Sequence, residues 1–71
     1  MPHEVHAEMV ANVIRVEVGE GDVVAAGETL VVLESMKMEI PVQPETGGTV
    51  TRVAVTEGDV VQEGDLLVVL A

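Results

Sequence analysis

Lys37 is the one lysine in a chain of 71 residues, and it stands at the centre of the run Glu34-Ser35-Met36-Lys37-Met38-Glu39. A primary amine on a flexible four-carbon stem can be acylated, and it makes an addressable point for a covalent label. With no second lysine, such a label has one side-chain address. Methionine is unbranched and polarizable, a side chain suited to surfaces that adapt to more than one partner. Glu34 and Glu39 invite comparison with an acid/base pair. No histidine or cysteine stands near them, so solubilising or partner-contact roles suit them better.

The remaining chemistry is thin. His3-x-x-His6 has a spacing that could meet a metal, but two histidines in a terminal stretch make a weak set, and no metal site is expected. The two Glu-Gly-Asp runs lack the ligand order of a calcium loop. There is no phosphate-binding glycine loop and no nucleophile paired with a base, so no catalytic residue is assigned. Arg15 and Arg52 read as outward strand charges facing nearby acids.

An element must hold Lys37 out. The apolar segments on either side of it leave about two residues to reverse the chain, so a hairpin with its tip at Met36 and Lys37 is expected. Tight two-residue turns favour Asn-Gly or Asp-Gly, because both positions need φ > 0. Met-Lys there is chosen against propensity, and such a conflict points to function. A lone lysine at a turn is ordinarily just a solvated tip. The methionine flanks, the turn position and the frame described next favour a modification site.

The chain is one motif written twice. Residues 13–34 and 50–71 align without a gap at an offset of 37, with 14 of 22 positions identical. The shared frame is V-x-R-V-x-V-x-E-G-D-V-V-x-x-G-[ED]-x-L-V-V-L. Ile14, Val16 and Val18 alternate with Arg15 and Glu17, and Thr51, Val53 and Val55 repeat the pattern, as in half-buried strands. Val-Val is a short crossing strand, and Leu-Val-Val-Leu a core strand. Neither half can cover its own apolar face. The expected fold is all-β: a flattened antiparallel barrel or sandwich of two halves related by a pseudo-two-fold. The carboxyl terminus matches the tip in the repeat, so the termini should lie at the end opposite Lys37. Pro41 and Pro44 place the intervening segment on an edge. Residues 1–71 read as one domain, with residues 1–8 loosely ordered at the tip and paired nearer Met9.

Composition agrees. Apolar residues make up 48% of the chain, and 17 residues are valine, whose β-branch suits strands. Without cysteine there is no disulfide to staple so small a domain, so apolar burial must hold it. The absence of Phe, Trp and Tyr removes stacking platforms, and a net charge of −10 repels phosphate backbones and anionic membranes. Neither nucleic acid nor membrane is an expected partner. The longest apolar run, residues 66–71, falls far short of the ~20 residues that span a bilayer. No secretory signal is read in the first residues, and a monomer in the cytoplasm is expected.

Glu34-Ser35-Met36-Lys37-Met38 resembles the attachment signature of biotinyl domains, which usually carry alanine where Ser35 stands. The doubled E-G-D frame and the P-x-x-G-x-x-V of residues 44–50, here Pro-Glu-Thr-Gly-Gly-Thr-Val, extend the resemblance over most of the chain. The resemblance is to free-standing biotin carboxyl carrier proteins. It implies that a biotin–protein ligase attaches biotin to Lys37 through an amide, and that Met36 and Met38 frame the site, with Glu34 and Ser35 completing the motif. It also implies partnership with a biotin carboxylase and a carboxyltransferase, with the chain itself a non-catalytic carrier. Proton removal from the amine is expected in the ligase's site. Two departures stand out: Ala11 lies near a position where glycine is frequent, and no protruding loop interrupts the first half. A lipoyl carrier shares the fold, but lipoyl sites typically show an acid before the lysine and alanine after it. A cofactor-free β-sandwich binding module is the reading from a different class.

Overall fold

In the computed structural model, which describes residues 2–71, the chain forms eight strands. They are β1 (His3–His6), β2 (Ala11–Val16), β3 (Val23–Val24), β4 (Val31–Ser35), β5 (Met38–Val42), β6 (Gly48–Val53), β7 (Val60–Val61) and β8 (Leu66–Leu70). They make two four-stranded antiparallel sheets, ordered β1-β8-β6-β3 and β5-β4-β2-β7. A shift of 37 residues carries β1, β2, β3 and β4 onto β5, β6, β7 and β8, to within a few residues, and so interchanges the two sheets, which is the pseudo-two-fold expected from the repeat. The short strands are exchanged: β3 of the first half pairs with β6, and β7 of the second half pairs with β2.

The hydrogen bonds repeat in the same way. The Gly21 N–H donates to Val50 O at 2.7 Å, and the Val50 N–H to Asp22 O at 2.8 Å. Their images are the Gly58 N–H to Val13 O and the Val13 N–H to Asp59 O, both 2.8 Å. Gly21 and Gly58 hold φ of +95° and +98°, a left-handed conformation that costs a side chain dearly. Each aspartate ties its own turn: Asp22 Oδ2 accepts from the Gly19 N–H at 2.8 Å, and Asp59 Oδ2 from the Thr56 N–H at 2.9 Å.

The core lies between the sheets and is aliphatic. Leu30, Val31 and Leu33 of the first half face Leu67, Val68 and Leu70 of the second, all at 2% exposure or less. No buried side-chain polar atom is left without a partner among the described residues. The expected alternation in β2 and β6 needs one correction. Ala11 and Val13 face the core, and the register then slips between Val13 and Arg15, leaving Ile14 as an extra, half-buried residue. Thr51 is its image in β6, where the register slips between Val50 and Arg52. A bulge adds one unpaired residue and flips the faces that follow, so Val16, Val18, Val53 and Val55 still turn inward.

The sheets do not close into a barrel. Edge strands β1 and β5 flank an open groove of about 490 Å³. Pro41 sits on the β5 edge, where a missing N–H costs no ladder bond. The amino-terminal segment differs from the loose arrangement expected. His3–His6 is a strand paired with β8, and Met9 lies outside any strand. The backbone edge of β8 offers partners to any sequence, and half-buried Val5 and buried Ala7 anchor it on the core. Met1 lies outside the described residues. Among the described residues, no helix is long and apolar enough to cross a membrane.

The two left-handed glycines make a paired prediction. Gly21→Ala and Gly58→Ala should each lower the unfolding free energy by about 1–2 kcal/mol, by nearly equal amounts. Urea denaturation would measure both. A large inequality would contradict equivalent turns.

Candidate functional site

The hairpin between β4 and β5 is as tight as the sequence suggested. Ser35 pairs with Met38, leaving Met36 and Lys37 alone at the tip. Both are left-handed, with φ of +53° and +66°, and they are the only described non-glycine residues with positive φ. Positive φ at both central positions is the signature of the turn whose twist matches a right-handed hairpin. A non-glycine residue there costs on the order of 1–2 kcal/mol. The turn is nevertheless held, because β4 is buried and paired on both sides.

The tip stands in solvent. Met36 is 89% exposed and Met38 62%, and Lys37 is exposed as well. Among the described residues, no carboxylate comes within ion-pair distance of the Lys37 amine. The lysine stem is therefore free to extend. Glu34 and Ser35 are half-buried at the base of the turn, on β4. The structure thus gathers all five motif residues at one end of the molecule.

Glu34 and Glu39 face each other across the β4–β5 ladder, an arrangement that like charges disfavour. Arg15 relieves it. Its guanidinium lies 3.7 Å from Glu39, and its Nε lies 3.6 Å from Glu17. Arg15 and Pro41 are the cross-strand neighbours of Val32, so the arginine stem also helps cover a buried valine on the outer face. The reading of Arg15 as an outward strand charge holds; Arg52 makes no ion pair among the described residues. His6 lies 3.2 Å from Glu4 on β1, and no cluster of three metal-ligating side chains occurs among the described residues.

The molecule measures 32 × 18 × 17 Å, and the tip and termini occupy opposite ends. β2 starts beside the tip, where Asn12 pairs with Glu34, and leads away to the turn that bonds Val50. Ala71 pairs there with Thr49. The His3↔Leu70 pair is the 37-residue image of Ile40↔Leu33, so this pair stands where a second hairpin would begin.

Residues 3–70 match the Biotin_lipoyl family model, described as "Biotin-requiring enzyme". The chain belongs to the biotin/lipoyl attachment family. A "biotinylated protein TB7.3 homolog" of Mycolicibacterium smegmatis is 62% identical over 42 residues, which are 59% of this chain and 59% of that protein. The chain thus spans about three-fifths of the length of that relative. Among solved structures, a single-chain, multi-domain long-chain acyl-CoA carboxylase matches 96% of this chain with 7% of its own, at 38% identity and a TM-score of 0.90. The urea carboxylase of Kluyveromyces lactis matches 100% of this chain with 6% of its own, at 28% identity and a TM-score of 0.93.

The strained turn sets stability against display of the amine. Lys37→Gly removes a side chain from a left-handed position and should raise the unfolding free energy by about 1 kcal/mol, while deleting the amine. Chemical denaturation beside the wild type checks it. Equal or lower stability would mean that the turn carries no such cost.

Proposed function

We propose that this chain is a biotin carboxyl carrier, with biotin held covalently on Lys37. The observation that carries the reading is the tip itself. The one lysine of the chain projects unpaired from a turn kept in a costly conformation, with exposed methionines on both sides. The family membership and the carboxylases that share this domain shape support it.

In this reading Lys37 Nζ acts as the neutral amine toward biotin activated as its adenylate. A C–N bond forms at the carboxyl carbon, the C–O bond to AMP breaks, and AMP leaves with the electron pair. The surplus amine proton passes to a base of the ligase or to water. The chain's formal net charge moves from −10 to −11. Once attached, biotin supplies a ureido nitrogen able to hold a carboxyl group. This chain's residues do the rest by placement. The rigid sandwich keeps the attachment point clear of its own surface, and the lysine stem lets the arm swing between a biotin carboxylase and a carboxyltransferase. Tethering raises the local concentration of the arm at each site to the order of mM. Met36 and Met38 present an adaptable apolar frame to these successive partners, and Glu34 and Ser35 shape the base of the turn.

Methionine on both sides of Lys37 favours biotin over a lipoyl group. Intact-protein mass after co-expression with a biotin–protein ligase and excess biotin tests the assignment. A gain of one biotinyl group, absent in Lys37→Arg, is expected. A folded protein with no gain would defeat the proposal, and labelling with a lipoyl ligase would then identify the other carrier. Labelling that persists in Lys37→Arg would move the site elsewhere.

A further inference from the structure

The repeat supplies a comparison within the molecule. Each residue up to Glu34 has an image 37 positions on, related by the pseudo-two-fold. Several exposed positions match across the two ends. Val23 and Val60 are images on the short strands, 79% and 62% exposed, and Glu8 is the image of Glu45. Met9 and Val10 break the match, since their images are Thr46 and Gly47. Met9 is 39% exposed and Val10 57%. The frame closes at the terminal end without an apolar side chain at either position, so the fold does not demand them at the other. A side chain is shut out at Gly47, where a Cβ would come within 2.7 Å of the Val24 carbonyl oxygen. Near the tip the chain leaves room for Val10 and turns it into solvent.

These residues adjoin the attachment turn. Asn12 pairs with Glu34 on one side and with Val60 on the other. Continuing the Asn12↔Glu34 register by two residues brings Val10 level with Met36. Val10 also stands one diagonal step from Val60, within reach of side-chain contact. Val10 and Val60 therefore continue the apolar frame of Met36 and Met38 down one end of the sandwich, and Met9 lines the adjoining groove between β1 and β5. Exposed acids border it. Glu8 follows Ala7, and Glu63 precedes Gly64, whose N–H donates to Ala7 O.

We propose that Met9, Val10 and Val60 extend the tip into a docking face for the enzyme that acylates Lys37, a biotin–protein ligase whose surface there is apolar at the centre and cationic at the rim. This inference rests on the biotin-carrier reading. Reach selects the ligase among the partners. An enzyme that acts on the amine must bring its reacting atoms to the turn itself, and it covers what lies beside the turn. An enzyme that acts on the biotin ring meets it at the end of the lysine stem and valeryl chain, and need not touch this face. The acidic border complements cations on the incoming surface and speeds encounter.

Steady-state biotinylation by a purified ligase with biotin and ATP tests the proposal, with three folded variants beside the wild type. Met9→Thr/Val10→Ser and Val60→Thr should each raise KM for the carrier, the double variant by roughly tenfold, with kcat little changed. Val23→Thr makes the same substitution on the image strand and should leave KM unchanged. Melting curves establish that all three are folded. Unchanged KM in both tip-end variants, a fall in kcat alone, or an equal rise in Val23→Thr would each overturn the docking face while labelling of the wild type still upholds the carrier reading. A wild type that takes no biotin overturns both.

Discussion

Strand exchange is the constraint on which the structure depends. β3 belongs to the first half in sequence but is bonded to the sheet of the second, and β7 does the reverse. Neither half is a complete sheet without the other. The core is shared on the same terms, with nine leucine and valine side chains fully buried between the halves. Burying one such side chain contributes about 1.5–3 kcal/mol. That contribution, spread over both halves, takes the place of the disulfide or metal that domains of this size often need. The core and turn contacts of one half recur in the other, while the Arg15 ion pairs have no counterpart at Arg52.

The hairpin draws its definition from that body. Its two strands are pinned before the turn begins: β4 is paired on both sides and apolar on both faces, and β5 lies along it in unbroken register from Val42 to Met38. The turn has two residues to work with and takes the left-handed conformation that the flanking twist demands. Local preference at Met36 and Lys37 is overridden, and the cost falls where the amine is displayed. A softer sheet would let the turn relax and the lysine settle on the surface.

Electrostatics is arranged to leave the lysine alone. The chain is strongly acidic, yet among the described residues no carboxylate lies within ion-pair distance of Lys37. Glu39 faces Arg15, and Asp59, in the turn bonded to Val13, accepts from the Thr56 N–H of its own loop. A cation in a field of carboxylates would ordinarily find a partner, and the projection of the turn keeps Lys37 from doing so. The methionines add no charge and little shape of their own, which suits a surface able to adapt to more than one shape.

Much of this was legible in the residues. The doubled frame announced two equivalent halves, the Leu-Val-Val-Leu runs marked the central strands, and two residues between apolar segments located the turn at Met36 and Lys37. All are local or repeated patterns, carried by side-chain chemistry that reads the same in any context. What only the tertiary structure decided depends on backbone pairing between distant segments. Period two cannot reveal where an extra residue enters, so the bulges at Ile14 and Thr51 emerged only when β2 met β4 and β6 met β8. His3–His6 carries little apolar signal and is a strand because the edge of β8 offers its N–H and C=O groups. The exchange of β3 and β7, and the meeting of Val60 with Asn12 beside the lysine, follow from the way two halves close on one core. No stretch of a single half contains that information.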